Sequence, residues 1–128
     1  MDTPSPRKML AGIIENELVT RLALTRCLRN KGFEIVHAGC MEDFMNHKPH
    51  IIIVSTATTP VTAFVEQAAR YFFKEPPLLV ITSWNRQEDS LLIDYPNYCL
   101  FQKPFVCSQL VTLVDENVNV MYRSQPAN

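Results

Sequence analysis

Apolar residues along this chain come in two textures: short unbroken runs, and longer stretches in which they recur every three or four positions. The run that anchors the reading is Ile51-Ile52-Ile53-Val54, four β-branched aliphatics between His50 and Ser55. It is too short for a helix and has no polar face, so it predicts a strand buried on both sides. That implies a parallel sheet covered by helices. Leu78-Leu79-Val80-Ile81-Thr82 has the same texture and predicts a second such strand. Lys8 to Ile14, Phe33 to Ala38 and Tyr98 to Gln102 supply three more, the second of them alternating in character.

The helical spacing falls between these runs. Leu18, Leu22, Thr25 and Leu28 share one face, with Arg21, Arg26 and Arg29 mostly off it, and Asn30-Lys31-Gly32 provides the stop. Cys40 to His47 allows a short helix burying Met41, Phe44 and Met45. Val61, Phe64, Val65, Ala68 and Phe72 define a further helix, ended by Pro76-Pro77. Residues 85–94 have room for two or three turns before Pro96, and a last helix runs from about Cys107 to Tyr122 with Leu110, Leu113, Val114, Val118 and Met121 inside. Five strands alternating with five helices predict an α/β domain, a doubly wound parallel sheet with helices on both faces. The domain spans residues 8–122, with a disordered or extended segment at 1–7 and, at 123–128, a polar tail or the start of a linker to an output domain.

Composition narrows the function classes. The 128 residues are 47% hydrophobic and 20% charged, as expected of one globular domain. A net charge of −1 gives no basic footprint for nucleic acid. No apolar run approaches the roughly 20 residues needed to cross a bilayer, and Met1 to Lys8 lacks a signal-peptide layout, so a cytoplasmic location is expected. Cys27, Cys40, Cys99 and Cys107 show no C-x-x-C or metal-ligand spacing and are read as inert core thiols.

In open α/β sheets the functional crevice lies beyond the carboxyl ends of the strands. Those ends carry Glu15-Asn16 after the first strand, Ser55-Thr56 after the third, Thr82-Ser83 after the fourth and Lys103-Pro104 after the fifth. The turn from Ser55 to Pro60 contains neither carboxylate, Cys, His nor Gly.

Ile13-Ile14-Glu15-Asn16-Glu17, Leu28 to Val36 with its Gly32, Leu78 to Ser83, and Phe101-Gln102-Lys103-Pro104-Phe105 resemble, in order and spacing, the receiver (CheY-like) domain of bacterial two-component response regulators. The resemblance covers residues 8 to 122. It implies a flavodoxin-like sheet of order 2-1-3-4-5. It also implies a site in which an aspartate at the third strand takes a phosphoryl group, an acidic pair holds Mg²⁺, and a Thr and a Lys contact the phosphoryl oxygens. Counted back from Pro60, the acceptor position is Thr56, and one member of the acidic pair is Asn16. A Thr hydroxyl without a neighbouring base is a poor nucleophile. His37, His47 and His50 are read at the opposite strand ends or on loops. With Glu15 as the remaining anion and Glu17 as its one candidate helper, Mg²⁺ binding is expected to be lost or very weak, and no other metal or cofactor is expected. The family's switch aromatic is replaced by Leu100.

The expectation is therefore a non-enzymatic, atypical receiver with degenerate site positions Glu15, Asn16, Thr56, Thr82 and Lys103. It would act in two-component or phosphorelay signalling by binding a partner protein or a second copy, independently of phosphorylation. The resemblance points to the face of the fourth helix, fifth strand and fifth helix, and Trp84, Leu91, Leu92 and Leu100 are the interface candidates. Neither membrane nor direct nucleic-acid binding is expected. Lys103 is read chiefly as a partner of Glu15 in an exposed pair of about 0–1 kcal/mol. Pro104 is read as a shape residue, a cis bond being one option. Two alternatives stay open: a receiver that still takes a phosphate-like ligand or is modified on Thr56 or Ser55, and a flavodoxin-like nucleotide- or flavin-binding protein. Against the second, the Glu15-Asn16-Glu17 turn has no glycine cradle for a phosphate.

Overall fold

A computed structural model of the chain describes residues 9–56, 61–83, 95 and 97–123, apart from the side chains of Thr56, Val61, Tyr122 and Arg123. Five parallel strands, β1 (Leu10–Ile14), β2 (Glu34–His37), β3 (Ile51–Thr56), β4 (Leu78–Ser83) and β5 (Tyr98–Gln102), form one sheet of order β2-β1-β3-β4-β5. The described helices are α1 (Leu18–Asn30), α2 (Val61–Tyr71) and α3 (Cys107–Arg123), with a short 3-10 helix at Met41–Phe44. The expected helix at 85–94, the segments 1–8 and 124–128, and the turn 57–60 lie outside the described residues. Among the described residues, no helix is long and apolar enough to cross a membrane.

Strand alternation sorts the sheet into two cores. Ala11, Ile13, Ile51, Ile53, Leu78 and Val80 face α1 and α3, while Ile14, Ile52, Val54, Leu79 and Ile81 face α2 and the 3-10 helix. Because β1, β3 and β4 are buried on both sides, they carry no polar alternation, which is why they read as plain apolar runs.

Gly12 serves a close approach. A Cβ built there would stand 2.8 Å from Cε1 of Phe44, whose ring is fully buried on the α2 side. α1 ends as its sequence predicts. Gly32 takes φ +92°, its N–H reaches the Arg29 carbonyl, and the Phe33 N–H reaches that of Leu28. Phe33 and Leu28 pack in the same core and complete the motif.

The amino edge of the sheet is stitched by a side chain. His50 Nδ1 accepts the Leu10 N–H at 2.9 Å, while the His50 N–H donates to the Leu10 carbonyl and the Leu78 N–H to that of His50.

Several expectations need correction. Leu18 and Leu22 are exposed, and the buried face of α1 is Leu24, Thr25 and Leu28. Both pairs of leucines sit four apart; the second joins Phe33 in the α1/α3-side core and the first does not. Leu113 is likewise exposed, since Leu110, Val111, Val114 and Val118 already fill the sheet side of α3. The second helix is a single 3-10 turn, so Met45 falls beyond it and is exposed. A positive φ at Lys48 and the Pro49 that follows leave no room for an α-helix there. Cys27, Cys99 and Cys107 are half-buried free thiols, but Cys40 is exposed and is no core residue. Burial pushes the Cys99 and Cys107 thiols up, with Cys27 and Glu15 adding to the rise at Cys107.

Candidate functional site

Parallel strands deliver their ends to one edge, and alternation decides which side chains meet there. Glu15 continues the α1/α3 face of β1, Ser55 that of β3 and Thr82 that of β4, with Ser55 and Thr82 in register. Lys103 follows β5 directly, and its N–H donates to the Ser83 carbonyl at 2.8 Å, which ties its backbone to the end of β4. The Lys103–Pro104 peptide is cis.

Three of these groups converge. The Lys103 ammonium donates a hydrogen bond to Ser55 Oγ and stands 3.6 Å from Glu15 Oε1. That second separation is too long for a hydrogen bond, so the attraction is Coulombic. Glu15 Oε1 is buried with no hydrogen-bond partner, and Oε2 accepts from the Glu17 N–H at 3.4 Å. Glu15 is only 6% exposed and Lys103 only 9%. The pairing was legible in the sequence; its burial was not, and the small energy of an exposed pair does not apply. Thr82 is also buried, and its hydroxyl donates to the Val54 carbonyl at 3.4 Å.

Asn16 is exposed. The backbone of Thr56 closes β3 beside Ser83, while its side chain and all of Thr58 and Thr59 lie outside the described residues. Trp84, Leu91 and Leu92 also lie outside them. Leu100 is half-buried on β5, beside Ile81, and packs on the α2-side core.

Chemically the cluster is a carboxylate, an ammonium and a hydroxyl that neutralise one another. Ser55 Oγ accepts from a cation, the reverse of the arrangement in which a base draws a proton from a hydroxyl nucleophile. Sequence reasoning placed this ammonium chiefly against Glu15, with a phosphoryl oxygen as the other option. The Ser55 contact could have been found from the shared parity of residues 13, 15, 53 and 55 along β1 and β3.

A second polar contact was missed because His37 was read away from this edge. His37 closes β2 at the carboxyl end, and its Nε2 lies 2.9 Å from Thr25 Oγ1. Thr25 gives its one proton to the Arg21 carbonyl at 2.7 Å, so the imidazole is the donor. Partial desolvation, with Arg21 and then Arg29 nearby, lowers the His37 pKa from its ordinary value.

No protein-family model matches the chain, and a search of curated proteins finds no match. Solved structures do match. A response regulator receiver domain protein from Bacillus halodurans superposes with a TM-score of 0.68 at 18% identity, covering 94% of this chain and all of that one. The fold is that of a response-regulator receiver domain. A CheY-like receiver protein from Methanospirillum hungatei gives a TM-score of 0.72 at 12% identity, over 92% of this chain and 99% of its own. An orphan response regulator of H. pylori gives 0.64 at 18%, over 86% and 96%. The receiver frame explains why Glu15, Ser55, Thr82 and Lys103 share one edge: the strand order β2-β1-β3-β4-β5 places β1, β3, β4 and β5 side by side.

Proposed function

We propose that the chain is an atypical receiver module of a signal-transduction pathway, working in the cytoplasm by protein association rather than by phosphoryl transfer. The observation that carries the reading is the engagement of Lys103. Its ammonium is committed to Ser55 Oγ and faces Glu15 in a buried, internally neutral cluster. The sequence offers no carboxylate between Ser55 and Pro60 to act as acceptor.

Mg²⁺ fits these residues poorly. The ion seeks several oxygen ligands in an octahedron, commonly with carboxylates among them. Glu15 is the one carboxylate of the cluster, and an ammonium already stands 3.6 Å from its buried oxygen. A divalent ion there would be repelled by Lys103 and would have to displace it. The module therefore needs neither a metal nor a cofactor in this reading, and its output is the presentation of a surface to a partner protein or to a second copy.

The test is incubation of the intact chain with acetyl phosphate and Mg²⁺, followed by intact-mass measurement, with calorimetric titration of Mg²⁺ alongside. The expected result is an unchanged mass and no binding heat. A stable phosphoryl adduct on Ser55 or Thr56 would overturn the reading in favour of a receiver modified on a hydroxyl.

A further inference from the structure

A second cluster of titratable groups lies apart from Glu15, Ser55 and Lys103, where α1 runs beside the outer strand β2. Arg21, Thr25 and Arg29 follow one another at intervals of four. On a helix that spacing makes a single row, about 6 Å per step and turned by about 80° from end to end. Thr25, in the middle, is joined to the strand through His37 Nε2 at 2.9 Å. The imidazole therefore meets the row between two guanidiniums, one a turn before Thr25 and one a turn after. Both act on it: after partial desolvation, Arg21 and then Arg29 lower its pKa.

The surrounding elements leave this charge unbalanced. α1 has no acidic residue, and Arg21 occupies its first turn, the end at which the helix dipole disfavours a cation. Glu34 belongs to β2, but strand alternation turns it to the other face with Val36, away from Ile35 and His37. Glu17, one turn ahead of Arg21, is exposed, and Glu15 on β1 faces Lys103. Arg26 is exposed outside the row and adds a further positive charge. Among the described residues no carboxylate pairs with Arg21, Arg26 or Arg29. Arg21 is moreover half-buried, where an uncompensated charge is costly.

We infer that Arg21, Arg29 and His37 form a binding site for a doubly negative tetrahedral oxyanion, the phosphate of a phosphomonoester. Two fixed positive charges match the two negative ones, and two guanidinium forks offer more donors than a carboxylate has oxygens. Because the Nε2–H is given to Thr25, His37 meets the ligand with Nδ1. The bound anion offsets the repulsion from the arginines, so the imidazole takes up a proton at Nδ1 and donates it in a hydrogen bond. Binding is thus coupled to proton uptake and strengthens from neutral to mildly acid pH. The site is separate from Ser55 and Thr56, involves no covalent step, and does not rest on the protein-association reading above.

The experiment is an anion titration of the full chain followed by NMR of the histidine rings, with His37→Gln identifying the His37 signals. Sulfate is the first probe, because its double charge is constant between neutral and mildly acid pH; inorganic phosphate is the second. The expected result is saturable binding that shifts the His37 resonances and raises the His37 pKa. Arg29→Gln and Arg21→Gln should each weaken it by about tenfold or more. Arg29 is exposed, so its loss leaves packing intact, and circular dichroism of each variant reports folding separately. A short phosphoserine peptide that binds more tightly than phosphate identifies a partner's side chain as the source; weaker binding identifies a small molecule. A shift that never saturates, one that bypasses His37, or an affinity indifferent to Arg29→Gln overturns the inference. Sulfate transfers nothing, so none of these outcomes bears on the phosphodonor result.

Discussion

Lys103→Met removes the cation from beside a buried carboxylate and leaves most other contacts in place. At 3.6 Å and an effective dielectric constant near 20, the Glu15–Lys103 attraction is about 4–5 kcal/mol. Measured losses on breaking buried pairs are about 3–5 kcal/mol, since the surviving charge is left desolvated and uncompensated. The expected destabilisation is therefore ~3–5 kcal/mol, a large part of the roughly 5–15 kcal/mol that holds a domain of this kind folded. Half-exposed Ser55 can replace its lost donor with water, so it adds little. The assay is urea unfolding of the wild type, Lys103→Met, Glu15→Leu and the double variant at neutral pH. Glu15→Leu leaves a buried ammonium and should also be costly. The double variant should return to within about 1 kcal/mol of wild type, because an apolar pair of similar volume replaces the ion pair. A single Lys103→Met loss below about 1 kcal/mol, or strictly additive losses in the double variant, would refute the claim that the pair is buried and coupled.

Two further outcomes follow from the packing and the imidazole. Gly12→Val drives a branched side chain into the Phe44 ring, whose Cε1 and Cζ already lie 2.8 and 2.9 Å from where a Cβ would be. The loss should be about 1–3 kcal/mol or more by urea unfolding, and Phe44→Leu in the same background should recover part of it. His37 has a folded pKa below its unfolded value near 6.5, so the unfolded chain binds the proton first. Its contribution to stability is complete above that value and is lost as pH falls through the lowered folded pKa. A His37→Gln variant should therefore show a shallower decline in unfolding midpoint between neutral and mildly acid pH, and an identical decline would contradict the lowered pKa.

Some elements were legible because only one structure suits their texture. Ile51 to Val54 and Leu78 to Ile81 could be neither half-exposed strands nor short helices, and both lie at the centre of the sheet. The carboxyl-edge residues were legible too, since the end of a parallel strand fixes where the next side chain emerges. Helix faces were harder. α1 offers leucines at 18, 22, 24 and 28, two pairs with the same spacing, and the spacing alone does not say that Leu24 and Leu28 are the pair packed in the core with Phe33. The depth of Glu15 and Lys103 was hidden for a related reason. Charged residues are exposed by default, and nothing local announces that one polar group from each of three strands will close over the others.

The imidazole at the amino edge has a consequence for how freely that corner can vary. His50 lends a ring nitrogen where a neighbouring strand would ordinarily present a carbonyl, and it does so while its own main chain bonds to Leu10 and Leu78. Three strands thus meet at a surrogate for peptide, fastened by residue identity as well as by register. An acceptor of similar reach, such as Asn, could deputise there, whereas a leucine of equal bulk would leave the first amide of β1 with no acceptor from this residue, at about 1–3 kcal/mol if water cannot reach it.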